Sequence, residues 1–261
     1  VGVDVYAFTS LDSFMFAGTW NRGVYRSSDN GTTWVPSAPG YSITALAEDG
    51  ANIYAGAWDG NSGNGGVYYS SNRGTSWSSL NSGLLNRDVY SLAVLDGLLF
   101  AGTIGGGAFR LSQSDPQHWI QISSGITLAE VQSLATLNRT VFAGTGGAGI
   151  FRSTDYGSSW TRLNTGIHSY ITTIAAKNGN IFAGSPNGVI RSTNAGSTWT
   201  DVSDGLVDSY VLALAIGDSS LFAGTLTGGV WRRPIPEVLL AVRRDVTTVP
   251  QEARLEQNYP N

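Results

Sequence analysis

Four acidic residues stand in loop-like segments where they could act as acids or bases: Asp59, Asp88, Glu130 and Asp208. A polysaccharide hydrolase needs two carboxyl groups flanking the glycosidic bond. The sequence does not give the separations of these four groups, so no catalytic pair is assigned. The chain has no cysteine and two histidines, His118 and His168, which lie 50 positions apart. Because no dense set of metal ligands is present, we expect neither a metal nor another cofactor.

Aromatic and polar residues in similar segments could bind a ligand without reacting with it. Indole and phenol rings stack on the apolar face of a sugar, while amide, carboxylate and guanidinium groups bond its hydroxyls. The alternative is that the rings pack against neighbouring parts of the fold. The candidate ligand-binding residues are Trp20, Arg22, Trp58, Asp59, Asn61, Asn64, Arg87, Asp88, Glu130, Tyr170, Asp208 and Tyr210.

An internal repeat of about 40 residues must position these groups. An apolar-Ala-Gly-small step occurs six times, with its glycines at Gly18, Gly56, Gly102, Gly144, Gly184 and Gly224. Short alternating runs, separated by hairpin dipeptides such as Asp96-Gly97, indicate four strands in each repeat. The sequence therefore predicts an all-β fold, a six-bladed β-propeller of four-stranded antiparallel blades. A seven-bladed propeller is the alternative.

The repeat phase places the candidate ligand-binding residues on one face of such a propeller. They fall in loops that join strand two to strand three, or strand four to the next blade, and these loops surround the central opening. We expect the propeller to span residues 1–242, with 237–242 as the last outer strand and blade one packed on blade six. Residues 243–261 are polar and are predicted to form a linker and the start of a further domain.

A second motif, S-x-D/N-x-G-x-S/T-W, occurs in four of the repeats, at Ser27–Trp34, Ser70–Trp77, Ser153–Trp160 and Ser192–Trp199. The third repeat keeps only Trp119, and the sixth has lost the motif. The acidic or amide side chain can bond backbone N–H groups of its own turn, which favours a structural role. That role is predicted for Asp29, Asn72, Asp155, Asn194, Trp34, Trp77, Trp160 and Trp199.

This pattern resembles the Asp box of the bacterial neuraminidase repeat superfamily of propellers. The superfamily includes sialidases, sortilin-type receptors, xyloglucan-cleaving hydrolases and photosystem II assembly-factor-like proteins. The resemblance implies that the motif lies on the face opposite the ligand site. A sialidase-like site would need three converging arginines, and only Arg22 and Arg87 fall on the ligand face. Arginines at the repeat position before the motif are predicted to tether neighbouring blades: Arg26, Arg110, Arg152, Arg191 and Arg232.

The last seven residues, Leu255–Asn261, read L-E-Q-N-Y-P-N. They resemble the opening of the C-terminal sorting domain used by the type IX secretion system. This resemblance implies a bacterial protein that is secreted or held at the cell surface. Because the sequence ends at this motif, we expect the rest of such a domain to be missing from it.

Composition narrows the range of partners. The net charge is −4 and only 13% of the residues are charged, which argues against a nucleic-acid surface. No apolar run is long enough for a transmembrane segment, and we expect a monomer. The favoured hypothesis is a non-catalytic propeller that binds a polysaccharide or an extracellular protein. A polysaccharide-degrading hydrolase or lyase and a structural or assembly module are the alternatives.

Overall fold

The computed structural model describes residues 3–38, 40–60, 63–112, 114–128, 130–163, 169–235 and 256–258. These residues form six four-stranded antiparallel sheets arranged as the six blades of a β-propeller, which confirms the predicted fold. No seventh sheet occurs in these ranges. Within the same ranges, no helix is long and apolar enough to cross a membrane.

Each blade consists of four strands paired in chain order. Blades one to three contain β1 Val5–Leu11, β2 Phe14–Thr19, β3 Gly23–Ser27, β4 Val35–Pro36; β5 Ser42–Glu48, β6 Ile53–Trp58, β7 Gly66–Ser70, β8 Ser78–Ser79; β9 Val89–Leu95, β10 Leu98–Thr103, β11 Gly107–Ser112 and β12 Asp115–Gln121. Blades four to six contain β13 Val131–Leu137, β14 Thr140–Thr145, β15 Ile150–Ser153, β16 Thr161–Leu163; β17 Thr173–Lys177, β18 Asn180–Ser185, β19 Gly188–Ser192, β20 Thr200–Asp201; β21 Val211–Ile216, β22 Ser220–Thr225, β23 Gly229–Pro234 and β24 Glu256–Asn258.

The repeated Ala-Gly step lets neighbouring blades pack closely. In blade four, a side chain built on Gly144 would come within 2.6 Å of Ile171 on the next blade. The glycines of blades one, two, three and five receive an isoleucine or valine of the following blade in the same way. The phenylalanine that begins the step is buried in the resulting cluster in blades one, three, four and five, as at Phe142. Five such apolar clusters hold successive blades together.

The sixth seam, between blade six and blade one, differs from the other five. Val5 occupies the repeat position of the buried Val89 and Val131, yet 44% of its surface is exposed. On blade six, Val230 is 46% exposed, whereas Ile150 at its position in blade four is fully buried. No apolar cluster joins these two blades among the described residues. Among the described residues, blades one and six thus lack the apolar cluster found at the other seams, and the expected packing of blade one on blade six stays a prediction.

The outer strand of blade six also differs from the prediction. The expected strand, residues 237–242, lies outside the described residues. The structure instead pairs β24 with β23, with Trp231 opposite Gln257 and Val230 opposite Asn258. Apolar pattern alone pointed to 237–242, but an outer strand needs only backbone pairing and little apolar surface. Short polar outer strands such as Ser78–Ser79 in blade two illustrate this.

The four S-x-D/N-x-G turns are closed by their own side chains. Asp29 Oδ1 accepts the hydroxyl of Ser27 (2.7 Å) and the backbone N–H of Thr33 (2.9 Å). Its Oδ2 accepts the hydroxyl of Thr33 (2.6 Å). Asn72 uses its Oδ1 in the same way and donates through Nδ2 to Ser76 Oγ (2.8 Å). Both residue types therefore close the turn, but only the aspartate can lose its bonds by protonation.

The tryptophans that end the motif divide into two groups. The indole N–H of Trp77 bonds Ser37 Oγ (3.1 Å) and that of Trp160 bonds the Ile122 carbonyl (2.6 Å), so each reaches the preceding blade. Trp34 and Trp199 bond carbonyls of their own turns, at 3.0 Å each. Trp119, which survives in blade three without the motif, still bonds the Leu80 carbonyl of blade two (2.6 Å).

Three arginines before the motif tie one blade to the next. Arg26, Arg110 and Arg152 donate to the carbonyls of Arg73, Tyr156 and Ala195 at 2.9, 2.7 and 3.1 Å. Each acceptor lies in the turn of the following blade. Arg191 instead bonds Asn180 of its own blade (2.6 Å), because blade six has no such turn to accept it.

The turns predict a measurable dependence of stability on acid. Hydrogen bonds from Thr33 and Ser27 lower the pKa of Asp29 to about 2, and those from Ser159 and Ser153 do the same for Asp155. Because the folded pKa is below the ordinary value, both carboxylates stabilise the native state above about pH 4. This contribution is lost as pH falls towards 2. The double variant Asp29→Asn/Asp155→Asn should therefore show a shallower loss of melting temperature between pH 4 and 2. Identical acid profiles for variant and wild type would contradict this.

Candidate ligand-binding face

A β-bulge at the start of the inner strand brings side chains to the central opening. In five blades one extra residue interrupts the pairing with strand two: Tyr6, Thr44, Tyr90, Gln132 and Leu212. Bulges of this kind commonly re-aim side chains beside functional sites. Burial raises the pKa of Tyr90, and the nearby Asp88, Tyr6 and Tyr170 raise it further. Groups from blades one, three and five therefore influence one another at this opening.

Three aromatic rings form a row across blades one and two. Trp20 and Trp58 are stacked with ring centroids 4.8 Å apart and an interplanar angle of 23°. Tyr6 lies 5.3 Å from Trp20 at 31°. Trp20 and Trp58 are half-buried, while Tyr6 is 57% exposed. The two tryptophans thus pack on each other and still present part of their rings to solvent.

A second aromatic pair lies beside this row. Tyr41 and Tyr68 are stacked at 5.6 Å and 21°. Burial and the neighbouring Tyr41 raise the pKa of Tyr68 to about 12, so its hydroxyl remains protonated and donates to the Asn64 carbonyl (2.6 Å). Arg87 donates to the Gly63 carbonyl (2.8 Å). Both bonds fasten the loop between β6 and β7, which carries Trp58.

Two of the candidate carboxylates hold loops in place. Asp59 Oδ2 accepts the backbone N–H groups of Asn64 and Gly65, the latter at 2.8 Å. Asp208 Oδ2 accepts the backbone N–H of Thr227 (2.6 Å) and its hydroxyl (2.8 Å). Bonds from the Thr227 and Tyr210 backbone lower the pKa of Asp208 to about 2. These two side chains therefore hold strand two to three loops in place, and the lowered pKa keeps Asp208 ionised.

The remaining candidates are spread around the opening. Asp88 is buried, and the Glu130 side chain lies against Gly146. Tyr170 is 38% exposed and accepts the amide of Gln132 (2.7 Å). Arg22 is exposed, and no described residue forms a side-chain hydrogen bond or an ion pair with it. Tyr210 is half-buried, and its carbonyl accepts Leu226 N–H (3.0 Å). Asn61 and His168 lie outside the described residues.

Sequence reasoning missed Tyr6, Tyr90 and Gln132 at this opening. The available signal was their common place in the repeat, directly after the first apolar residue of strand one. An alternating sequence pattern does not reveal a β-bulge, because one extra residue moves the following side chains to the opposite face of the strand. In the described ranges, no group of three or more histidine and acidic side chains could hold a metal ion.

Comparison with known proteins extends the description of the fold. No family model matches the sequence, and no curated protein is similar to it. Among solved structures, the extracellular domain of the hybrid two-component system BT4673 from B. thetaiotaomicron is 19% identical, with a TM-score of 0.71 over 87% of this chain and 32% of that one. YCF48 bound to D1 peptide is 15% identical, with a TM-score of 0.68 over 89% and 78%.

A third similar structure is the GH74 xyloglucanase from Xanthomonas campestris, 18% identical with a TM-score of 0.69 over 89% of this chain and 44% of that one. This chain thus spans about a third of the extracellular domain and less than half of the xyloglucanase. At such low identities the similarity establishes the propeller fold alone.

Proposed function

We propose that this propeller is a non-catalytic module that binds a glycan or a protein ligand on the face carrying Tyr6, Trp20 and Trp58. The observation that carries the proposal is the half-exposed aromatic row itself. Aromatic rings held in fixed positions offer binding area at little entropic cost. The row is anchored on two adjacent blades, so it is already formed before a ligand arrives.

The polar groups around the row support binding. Arg22 is exposed beside it, and the tyrosine hydroxyls and Gln132 amide line the opening. Exposed apolar side chains stand on the strand four to one loops before blades three and six, with Leu85 81% and Val207 85% exposed. A surface of rings, hydroxyls and isolated apolar groups suits a sugar chain or an extended peptide.

The state of the acidic groups supports a non-catalytic role. A general acid for glycoside cleavage keeps its proton near neutral pH because its pKa is raised. Asp208 has the opposite shift, and its oxygens are already bonded to Thr227, as described above. Asp59 is bound in the same manner by its own loop. The hydrolase hypothesis therefore depends on Asp88 and Glu130.

The similar structures are consistent with this proposal but do not choose the ligand. One of them holds a peptide, one is an extracellular domain and one is a xyloglucanase. A propeller of this shape therefore occurs with more than one ligand class.

Retention by polysaccharides tests the proposal. The purified chain would be run in gels containing neutral and acidic polysaccharides, with Trp58→Ala beside it and Trp34→Ala as the matched control. Trp34 is a half-buried tryptophan of blade one in an S-x-D/N-x-G turn. We expect retention to fall about tenfold or more in Trp58→Ala and to persist in the control.

Reducing-end release measured on the same samples separates binding from cleavage. Release of sugar would overturn the non-catalytic role and direct attention to Asp88 and Glu130. If no polysaccharide retains the chain, the glycan half of the proposal fails. A peptide library screened with Trp58→Ala as the control would then test the protein ligand.

We further propose that the protein is bacterial and exported by type IX secretion, on the strength of the Leu255–Asn261 motif. Three residues of this motif, Glu256–Asn258, pair with blade six, so altering them would disturb folding as well as export. The test therefore leaves the chain intact. The protein should be lost from the medium and cell surface of its source when the type IX translocon is disrupted, and unchanged fractionation would contradict the proposal.

A further inference from the structure

A cleft of about 310 Å³ opens on the seam between blades two and three. Its lining residues are Asn52, Tyr54, Tyr69, Ser78, Ser79, Leu80 and Leu111. Asn52 and Tyr54 lie at the start of β6, whereas Trp58 lies at its end. The cleft is therefore at the other end of the blade from the aromatic row and is separate from the ligand-binding face.

The cleft exists because blade three lacks the S-x-D/N-x-G turn. In blades two, four and five this turn fills the space at the seam with the preceding blade so closely that no side chain fits on its glycine. Gly157 abuts Ile122 of the preceding blade, and Gly196 abuts Leu163. In blade three, Ser112 pairs directly with Asp115, so the strands are joined without the turn. The seam between blades two and three consequently loses the segment that covers the seams in front of blades two, four and five.

Blade two has a matching change at the position of the tethering arginine. Arg26, Arg110 and Arg152 each bond the turn of the next blade, as described above. In blade two the equivalent residue is Tyr69, which has no turn to reach. Its ring packs half-buried against the apolar cluster of blades two and three. The arginine that bonds the next blade elsewhere is thus replaced by Tyr69, whose ring forms an aromatic wall of the cleft.

A third change falls at the same seam. Tyr54 stands where the other five blades have phenylalanine. Its hydroxyl donates to Asp49 Oδ2 (2.7 Å), which also accepts the amide of Asn52 (2.9 Å). Three departures from the repeat therefore coincide, and together they give a cleft with an apolar floor and several hydroxyl and amide groups at its edge.

We propose that this cleft is a second binding site, and that it takes a neutral sugar of one or two rings. No lining residue carries a charge, which disfavours an ionic ligand. The half-buried Tyr69 and Leu80 offer a surface for the apolar face of a pyranose, while Ser78, Ser79 and Asn52 can bond its hydroxyls. The volume lies at the small end of the range for ligand sites, which matches a short sugar.

The test uses neutral sugars and variants that restore the repeat. Xylose, glucose, galactose and cellobiose would be titrated against the whole chain by saturation-transfer NMR. Tyr69→Arg introduces the residue that this position carries in the other blades, so the fold should tolerate it. We expect it to weaken binding about tenfold or more by removing the aromatic wall and placing a cation in the cleft. Tyr54→Phe should weaken binding by a smaller factor.

The Trp58→Ala variant separates this proposal from the one for the ligand-binding face. In a Trp58→Ala background, sugar bound on the ligand-binding face no longer contributes, and adding Tyr69→Arg should still weaken the remaining saturation transfer about tenfold or more, because Trp58 lies at the far end of the blade. Equal titration curves for wild type and Tyr69→Arg would overturn the second site. Absence of transfer to all four sugars would also overturn it, and would leave the cleft as a by-product of the short hairpin in blade three.

Discussion

Replacement of Phe142 by alanine should lower the free energy of unfolding by about 3–5 kcal/mol, whereas the same change at Phe222 should lower it by about 1 kcal/mol or less. Both residues begin the same tetrapeptide, Phe-Ala-Gly-Thr, in strand two of a blade. Phe142 is fully buried in the cluster between blades four and five. Phe222 is only half-buried, because no apolar cluster among the described residues joins blade six to blade one. The local sequence and the strand position are the same at both sites. The difference between the two losses in unfolding free energy therefore measures the packing of the neighbouring blade against the ring.

Urea unfolding of the two variants and the wild type would provide these values. Deletion of a buried ring leaves a cavity that the surrounding blades cannot collapse, which accounts for the large loss at Phe142. A ring that already faces solvent gains little from burial and leaves no cavity. Losses of similar size at both positions would show that blade six is covered in solution, either by blade one or by another part of the protein.

The repeat in the sequence predicts most of the fold because each blade is specified locally. Alternating runs define the strands, and the hairpin dipeptides join them. In Asp96-Gly97 both residues take the positive φ that a tight hairpin requires, 50° and 73°. The Ala-Gly step then determines how closely the next blade can approach. Six copies of these signals are enough to predict six blades.

The open seam could not be predicted in the same way. Val5 and Gly224 carry the residue types that pack together at every other seam. Residue type alone therefore predicts contact between Val5 and Gly224. It does not show whether the first and last blades come close enough to make that contact. The outer strand of blade six was missed for a related reason. Such a strand is joined by backbone bonds, which depend little on residue type; the outer strand of blade one even contains Pro36.

The sequence predicted which face of the propeller carries the candidate residues, but it did not predict what each of these residues does there. Repeat phase placed Trp20 and Trp58 in loops of one face, but their stacking requires the three-dimensional arrangement of two blades. Asp59 and Asp208 have the residue type of a catalytic acid, but Asp59 holds its own loop and Asp208 holds the loop that contains Thr227. The deciding factor is the position of backbone N–H groups, which a list of residue types does not contain. The cleft at Tyr69 was visible in the sequence only as two irregular repeats.

An alanine at Gly144 and an alanine at Gly224 should have opposite effects on stability. At Gly144 the new methyl group would lie 2.6 Å from Ile171, and such overpacking typically costs about 1–3 kcal/mol. At Gly224 the nearest atom is the Ala213 side chain at 3.6 Å, an ordinary contact. Alanine there restricts the unfolded chain more than glycine does, so a gain of about 0.4–1 kcal/mol is expected.

The two glycines make this a sharp test because they share the tetrapeptide Phe-Ala-Gly-Thr and neither has a positive φ. Urea unfolding would again give the free energies. Phe222→Ala removes side-chain atoms at this seam, whereas Gly224→Ala adds a methyl group. A general loss of stability in blade six therefore cannot explain both a small loss at Phe222 and a gain at Gly224. If Gly224→Ala proves as damaging as Gly144→Ala, a side chain must occupy the Gly224 socket in solution. Val5, with the residue type and repeat position of Val89 and Val131, would be the first to exchange for alanine.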